Sequence, residues 1–259
     1  MFSSGYLLWI GISAFLIVIG LWGCRRLKPD EDRVLKVCLA LGAVSEAVKL
    51  FSVIRILPMV GVEGVYTPYL EMADLPLELC SLQIPFMAAM LMAHTERWRS
   101  RLRALIYVTG VIGGLLGIVL AEVTVDYSTV QEYFCTPRIY QFFLYHSMVV
   151  TLGLYMGGRK GSDVSLSSYG QTMGMLVMLD IPTFYINSVF SQPVYEAGKP
   201  VAVAYRVNFF SSYVNPLGLP LSEKWQWLAY LGIRLTLAAA LIWLLLAAAS
   251  WMRKMDRTA

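Results

Sequence analysis

Charge is scarce in this chain. Only 15% of its 259 residues are Asp, Glu, Lys or Arg, against about a quarter in ordinary globular domains, and that shortage excludes a sizeable water-soluble domain. The four cysteines stand at no metal-ligand spacing, so they define neither a zinc framework nor a clear disulfide scaffold. Cys80 and Cys135 both fall toward one side of the expected membrane, and a bridge between them is left open. No internal repeat and no low-complexity tract is visible, which argues against a repeat architecture. No basic stretch precedes the first apolar segment, and Arg25 and Arg26 follow it. That order favours a retained first span over a removable signal peptide.

What the chain has in abundance is apolar length. Hydrophobic residues make up 58% of the sequence and the mean hydropathy is +0.61. They gather in blocks near 5–23, 34–57, 75–93, 104–121, 139–156, 170–190 and 227–251, each about as long as a helix needs to cross a ~30 Å hydrocarbon core. The expectation is an all-α polytopic membrane protein, a seven-transmembrane-helix bundle forming one domain. The second, third and sixth blocks carry ionisable residues and are the weaker assignments.

Lys and Arg set the orientation. Arg25, Arg26, Lys28 and Arg33 gather in the first connection, and Arg97, Arg99, Arg101 and Arg103 in the third. Arg159 and Lys160 stand in the fifth, and Arg253, Lys254 and Arg257 follow the last block. With seven spans these regions share one side. The opposite loops hold Glu63, Glu71, Asp74, Glu122, Asp126 and Glu132. The N-terminus is therefore expected outside and the C-terminus in the cytoplasm. The net charge of +4 is a topology signal, with no nucleic-acid partner implied. Tyr6, Trp22, Tyr140, Trp225, Trp227 and Trp251, near block ends, suit interfacial aromatic belts.

Ionisable groups inside spans are costly unless they face a cavity or a partner. Here they are Glu46, Lys49 and Arg55 in the second block, Glu78 and Cys80 in the third, His146 in the fifth, Asp180 in the sixth and Arg234 in the seventh. At ~1.5 Å per residue, Cys80 lies roughly 8 Å below the outer end of its span, and His146 and Arg234 roughly 10–12 Å below theirs. Ser45, Glu46, Lys49 and Ser52 form one helical stripe, and Asp180, Thr183 and Asn187 another. Two readings follow. The stripes and His146 line a wet pocket in the outer half of the bundle, with loop 191–226 as a lid. Alternatively, Glu46 with Lys49, and Asp180 with Arg234, pair to hold the protein together. Pro76 suits the first turn of a helix, which would set Glu78 against the positive end of its dipole and Cys80 in the second turn.

Cys80 and His146 are the pair able to do chemistry. A thiolate is a strong nucleophile, favoured by a nearby helix N-terminus or histidine, and an imidazole can take its proton and return it to a leaving group.

The run Leu75-Pro76-Leu77-Glu78-Leu79-Cys80, followed by Tyr140-Gln141-Phe142-Phe143-Leu144-Tyr145-His146, resembles the YwaF-type membrane protein family. Glu46 and the stretch from Asn208 to Pro216 are similar in kind and position. An animal relative of that family is a membrane acyltransferase that makes ether phospholipids, including plasmalogens. The resemblance implies Cys80 and His146 as acyl-transfer residues, phospholipid and lysophospholipid as substrates, and no cofactor. It implies a cysteine thioester, with Glu46 or Asp180 orienting the histidine and Lys49, Asn187 or Arg234 stabilising an oxyanion. Glu78, Gln83, Tyr145 and Thr183 are the candidates for contacting substrate. One departure stands out: family members often carry a histidine where this chain has Glu78. The expected setting is the plasma membrane, with the site toward the outer leaflet. Hydrolysis of the same lipid ester is the near alternative, and a non-enzymatic transporter or ligand-binding protein built on the buried charges is the distant one.

Overall fold

The computed structural model describes residues 3–61, 64–120, 129–159, 162–196, 199–204, 207–211 and 222–258. Glu63, Glu122, Asp126, Lys160 and residues 212–216 of the stretch resembling the YwaF-type family lie outside them. Eight helices carry the described chain: α1 (Ser4–Leu27), α2 (Glu31–Val53), α3 (Gln83–Met92), α4 (Glu96–Val119), α5 (Val130–Cys135), α6 (Pro137–Gly158), α7 (Tyr169–Phe190) and α8 (Glu223–Thr258). Two antiparallel hairpins are interposed, β1 (Arg55–Pro58) with β2 (Tyr66–Tyr69), and β3 (Gln192–Glu196) with β4 (Lys199–Ala204).

The helix starts follow from local chemistry. Ser3 accepts from the Tyr6 N–H, Asp30 from Asp32, and Thr95 from Trp98, each satisfying an amide that the helix leaves without an internal partner. Thr129 and Glu132 close a reciprocal capping box on α5, and Pro137 opens α6 where its missing N–H costs nothing. Lys28 ends α1 in the left-handed conformation, φ 45°.

Among the described residues, four helical segments are long and apolar enough to cross a membrane: Ser4–Leu27, Glu96–Val119, Leu166–Phe190 and Trp225–Lys254. They coincide with the first, fourth, sixth and seventh blocks. Helices α2 (23 residues) and α6 (22 residues) have the length, but Glu46 and Lys49 in one and Gln141 and His146 in the other lower their apolarity.

The third block departs most from expectation. Residues 75–82 form turns, and the helix begins only at Gln83. Pro85 is the reason. A helix starting at Pro76 would need the missing Pro85 N–H to reach the Ser81 carbonyl, at a cost of about 3 kcal/mol. Started at Gln83, the same proline falls harmlessly in the first turn. Ten residues then rise only ~15 Å, half a bilayer. Pro76 therefore opens no helix, and neither Glu78 nor Cys80 occupies a helical turn after it.

Two further boundaries shift. Helix α2 stops at Val53, so Arg55 leaves the span and starts β1, where it pairs with Glu71 at 3.2 Å. Val53, Ile54 and Ile56 favour extended backbone, and Gly61 and Gly64, with φ 81° and 75°, serve the turn that follows. Helix α4 begins at Glu96, so Arg97, Arg99, Arg101 and Arg103 stand on its first turns and not in a loop. The described residues of loop 191–226 include β3, β4 and a 3-10 turn at Phe209–Ser211. All four cysteines are free, so Cys80 and Cys135 form no bridge.

Helix α4 is the centre of the bundle. Of its apolar stretch 67% is buried, against 11% in each of the other three long apolar segments. It runs along α6 on small residues: a Cβ on Gly114 would meet the His146 carbonyl at 3.2 Å, and one on Gly153 the Tyr107 carbonyl at 3.1 Å. Such close backbone approach is how membrane helices gain dispersion contacts where lipid removes most of the hydrophobic drive. Helices α1 and α2 flank α6, α3 packs between α2 and α4, and α7 and α8 contact α4.

The two ends of α4 differ in chemistry. At its C-terminal end Tyr6 donates to the Ile118 carbonyl at 2.9 Å, and Trp9 stacks on Phe143 with centroids 5.3 Å apart. At its N-terminal end Arg103 is gripped by Glu31 (2.9 Å), Glu96 (3.1 Å) and Asp163. Arg159 also pairs with Glu31, and Arg99 with Asp32. This network ties α2, α4, α6 and the loop after α6 together.

Candidate active site

Cys80 lies in the coil leading into α3. Hydrogen bonds from Leu82 N to Glu78 O (3.0 Å), Gln83 N to Cys80 O (3.1 Å) and Ile84 N to Ser81 O (3.2 Å) wind that coil tightly. The Ser81 hydroxyl and the Ser81 and Cys80 amides of this turn stand close to the Cys80 sulfur.

His146 sits on α6 and is buried, at 4% exposure. Its Nδ1 lies 2.7 Å from the Phe142 carbonyl. A carbonyl only accepts, so Nδ1 carries the proton and Nε2 keeps a free lone pair. The orienting group of this histidine is thus a backbone oxygen one turn earlier on its own helix. Nε2 faces α4 at Gly117, where a Cβ would come within 2.5 Å of it. The Phe142 ring, with its centroid 4.1 Å away, and the Tyr145 ring, at 5.7 Å, enclose the imidazole.

Two links bring these residues together. Tyr145, the neighbour of His146 in the chain, donates from its hydroxyl to the Cys80 carbonyl at 2.8 Å. On α4, Gly113 packs near the Cys80 amide, 3.7 Å from an added Cβ, and Gly117 packs on the His146 ring. Residues 113 and 117 share a helix face about one turn, ~6 Å, apart. Cys80 and His146 therefore rest on consecutive steps of one glycine face. Among the described residues no hydrogen bond joins the Cys80 sulfur to the imidazole.

The α2 stripe reaches the same region. Gln141, one turn before Tyr145 on α6, donates to Ser45 at 2.7 Å. Glu46 and Lys49 pair at 3.0 Å, with the Lys49 side chain 10% exposed. Gln83 is fully buried and donates to Thr109 at 2.6 Å, while its Oε1 has no partner among the described residues. Glu78 is exposed.

The remaining expected site residues gather elsewhere. Asp180 on α7 and Arg234 on α8 pair through both guanidinium ends, one contact at 3.0 Å, and Arg234 also donates to the Phe210 carbonyl at 2.9 Å. Asn187 donates to the Phe209 carbonyl at 3.0 Å and accepts from the Phe209 N–H at 2.9 Å. Thr183 bonds the Asp180 carbonyl at 2.7 Å. These polar groups pin the Phe209–Ser211 turn onto α7 and α8, and none of these contacts reaches Cys80 or His146.

Gly113, Gly117, Ser81 and the Phe142 carbonyl were not anticipated. The glycines had a signal: Gly110 with Gly114, and Gly113 with Gly117, are paired GxxxG spacings in an apolar helix. The carbonyl had none, since every residue supplies one.

Neither a curated protein nor a solved structure matches this sequence. A family model does: the TMEM164 family matches residues 1–247. With nearly the whole length matched, this multi-pass membrane chain belongs to the TMEM164 family.

Proposed function

We propose that the protein is a membrane transacylase that moves a fatty acyl group from a phospholipid to a lysophospholipid through a thioester on Cys80. The observation carrying this reading is the seating of Cys80 and His146 against Gly113 and Gly117, one turn apart on α4, tied by the Tyr145 hydroxyl. The resemblance of these two segments to the YwaF-type family points the same way.

The Cys80 thiol gives its proton to His146 Nε2, and the sulfur attacks the ester carbonyl carbon of the donor lipid. The tetrahedral oxyanion is met by the Ser81 hydroxyl and the N–H groups of the same turn. Collapse breaks the carbon–oxygen bond, and the lysolipid alkoxide leaves with the proton from His146. In the second half, the acceptor hydroxyl loses its proton to Nε2 and attacks the thioester carbonyl. The thiolate departs and is reprotonated. The Phe142 carbonyl keeps Nδ1 protonated throughout, the role a third residue fills in catalytic triads. Such hydrogen bonds often close only when substrate arrives, consistent with a sulfur that rests on its own turn beforehand. Water as acceptor would make the same site a lipid hydrolase.

In this reading α1, α2, α3 with the turn before it, α4, α6, α7 and α8 make seven crossings, with the N-terminus outside and the C-terminus cytoplasmic. Cys80 and His146 then draw on the outer leaflet of the plasma membrane. The pairing of Glu46 with Lys49 and of Asp180 with Arg234 leaves little free charge for coupling a solute, which supports lipid chemistry over transport.

The test uses purified full-length protein with acyl-labelled phospholipid and unlabelled lysophospholipid. Label should pass to the acceptor, an acyl adduct should appear on Cys80 by mass spectrometry, and Cys80→Ala and His146→Ala should abolish both. Transfer undiminished in Cys80→Ala would eliminate the thioester route.

A further inference from the structure

The N-terminal turns of α4 carry arginines of two kinds. Arg99 and Arg103, one turn apart on one face, are committed to Asp32, Glu31, Glu96 and Asp163. Arg97 and Arg101, one turn apart on a different face, have no carboxylate partner among the described residues. Arg97 is exposed. Arg101 instead lies over the Trp98 ring, its guanidinium carbon 4.9 Å from the centroid, a geometry that retains a cation.

Beside these cations is an apolar groove of about 440 Å³ at the elbow between α3 and α4, lined by Ala89, Met92, His94, Trp98 and Leu102 among others. Met92 is 68% exposed and Trp98 53%. The elbow falls where a bilayer-crossing helix reaches the interface. A Trp at the elbow, two arginines without a carboxylate partner among the described residues and the apolar groove beside them match one occupant in shape and charge: a lipid with an anionic head and a long chain.

We propose that the α3–α4 elbow binds an anionic glycerophospholipid, with the phosphate on Arg97 and Arg101 and an acyl chain along Met92, Trp98 and Leu102. Trp98 is separated from Gly117 by nineteen residues of continuous α4, roughly 28 Å at 1.5 Å per residue. The bound lipid is therefore in the opposite leaflet from Cys80 and His146 and is a resident of the fold, independent of the acyl-transfer reading. Its phosphate supplies the negative charge that these two arginines lack, as Glu31 and Asp163 do for Arg103.

Native mass spectrometry of the full chain, delipidated and then offered palmitoyl-oleoyl phosphatidylglycerol or phosphatidylcholine, tests the site. The glycerol lipid should be retained preferentially and should raise the unfolding temperature. Each of Arg97→Gln and Arg101→Gln should weaken retention about fivefold and the double variant about thirtyfold, as expected for ~1 kcal/mol per basic residue at an anionic surface. Trp98→Leu should weaken it as well, and millimolar inorganic phosphate should not displace the lipid. Equal retention of the two lipids by the unaltered protein, which needs no variant to observe, would overturn the proposal. So would unchanged retention in a correctly folded double variant, or displacement by phosphate alone.

Discussion

Gly117 and His146 meet where α4 and α6 cross, and the space between them has no room for a methyl group: a Cβ at 117 would stand 2.5 Å from Nε2. Gly117→Ala must therefore push the imidazole off its seat or spread the helices. Overpacking of this kind costs about 1–3 kcal/mol, and a displacement of about 1 Å at a reacting group lowers a rate by around a hundredfold. Acyl transfer should fall by that order. Labelling of the Cys80 thiol by an alkylating probe should persist. Transfer at the unaltered rate would mean that Nε2 is not the working nitrogen.

In the proposed mechanism Tyr145 works through Cys80, whose carbonyl its hydroxyl holds. Tyr145→Phe keeps the ring that packs on His146 and deletes only the bond to the Cys80 carbonyl. The net worth of such a bond is about 0.5–1.5 kcal/mol, and loosening the turn should reduce transfer about tenfold with little change in lipid binding. A fall in the maximal rate at constant half-saturating lysophospholipid concentration is the expected signature. A change confined to half-saturation would reassign Tyr145 to substrate contact.

How much of this was legible beforehand depends on the physical term that decided each element. Apolar length alone marks α1, α7 and α8, and these blocks agree with the helices found to within a few residues at most ends. The third block misleads because apolarity carries no information about Pro85, whose missing N–H moves the helix start from 76 to 83 and takes Cys80 out of the helix. The arginines of residues 97–103 look like a loop charge cluster in sequence, yet Arg103 turns inward to Glu31 and Asp163 and Arg99 reaches Asp32, partners distant in the chain. Asn187 and Arg234 invite a catalytic reading because a polar group in a span needs a partner, and the partners found include the backbone of Phe209 and Phe210. The motifs single out Cys80 and His146 but say nothing of the α4 face, Gly113 and Gly117, against which they pack.

The Arg103 cluster should dominate stability at its end of the bundle. Arg103 and Glu31 have side chains only 7% and 8% exposed, and removing one partner of a buried pair strands the other at a cost of about 3–5 kcal/mol. Arg103→Ala should destabilise by that amount in chemical unfolding from detergent micelles. Arg99→Ala, whose partner Asp32 is 44% exposed, should cost well under ~1 kcal/mol. Equal effects would show that solvent reaches both pairs alike.

Asp163 makes the same cluster sensitive to acid. Partial burial pushes its carboxyl upward, but hydrogen bonds from Ser100 and Arg103 and the Arg103 charge outweigh that and hold it below the usual carboxylate range. Its folded value is thus below its unfolded one. The stabilisation is complete above the ordinary carboxylate pKa and fades as pH falls through the depressed value. Unfolding temperature should drop between about pH 5 and pH 3, and Asp163→Asn should flatten part of that slope. A variant with the same slope as the unaltered protein would assign the acid response to other carboxylates.

Asp180 and Arg234 give the sharpest separation between holding the fold and doing chemistry. Their side chains are 19% and 18% exposed, and Arg234 extends past Asp180 to the Phe210 carbonyl. Asp180→Asn leaves an amide able to hydrogen-bond the guanidinium but removes the charge. If the pair only fastens the Phe209–Ser211 turn to α7 and α8, this variant should unfold at a lower temperature yet transfer acyl groups at close to the normal rate well below that temperature. Arg234→Lys, which cannot span both partners with one planar fork, should behave likewise. A loss of transfer above a hundredfold in either variant, with the protein still folded, would draw α7 and α8 into the active site.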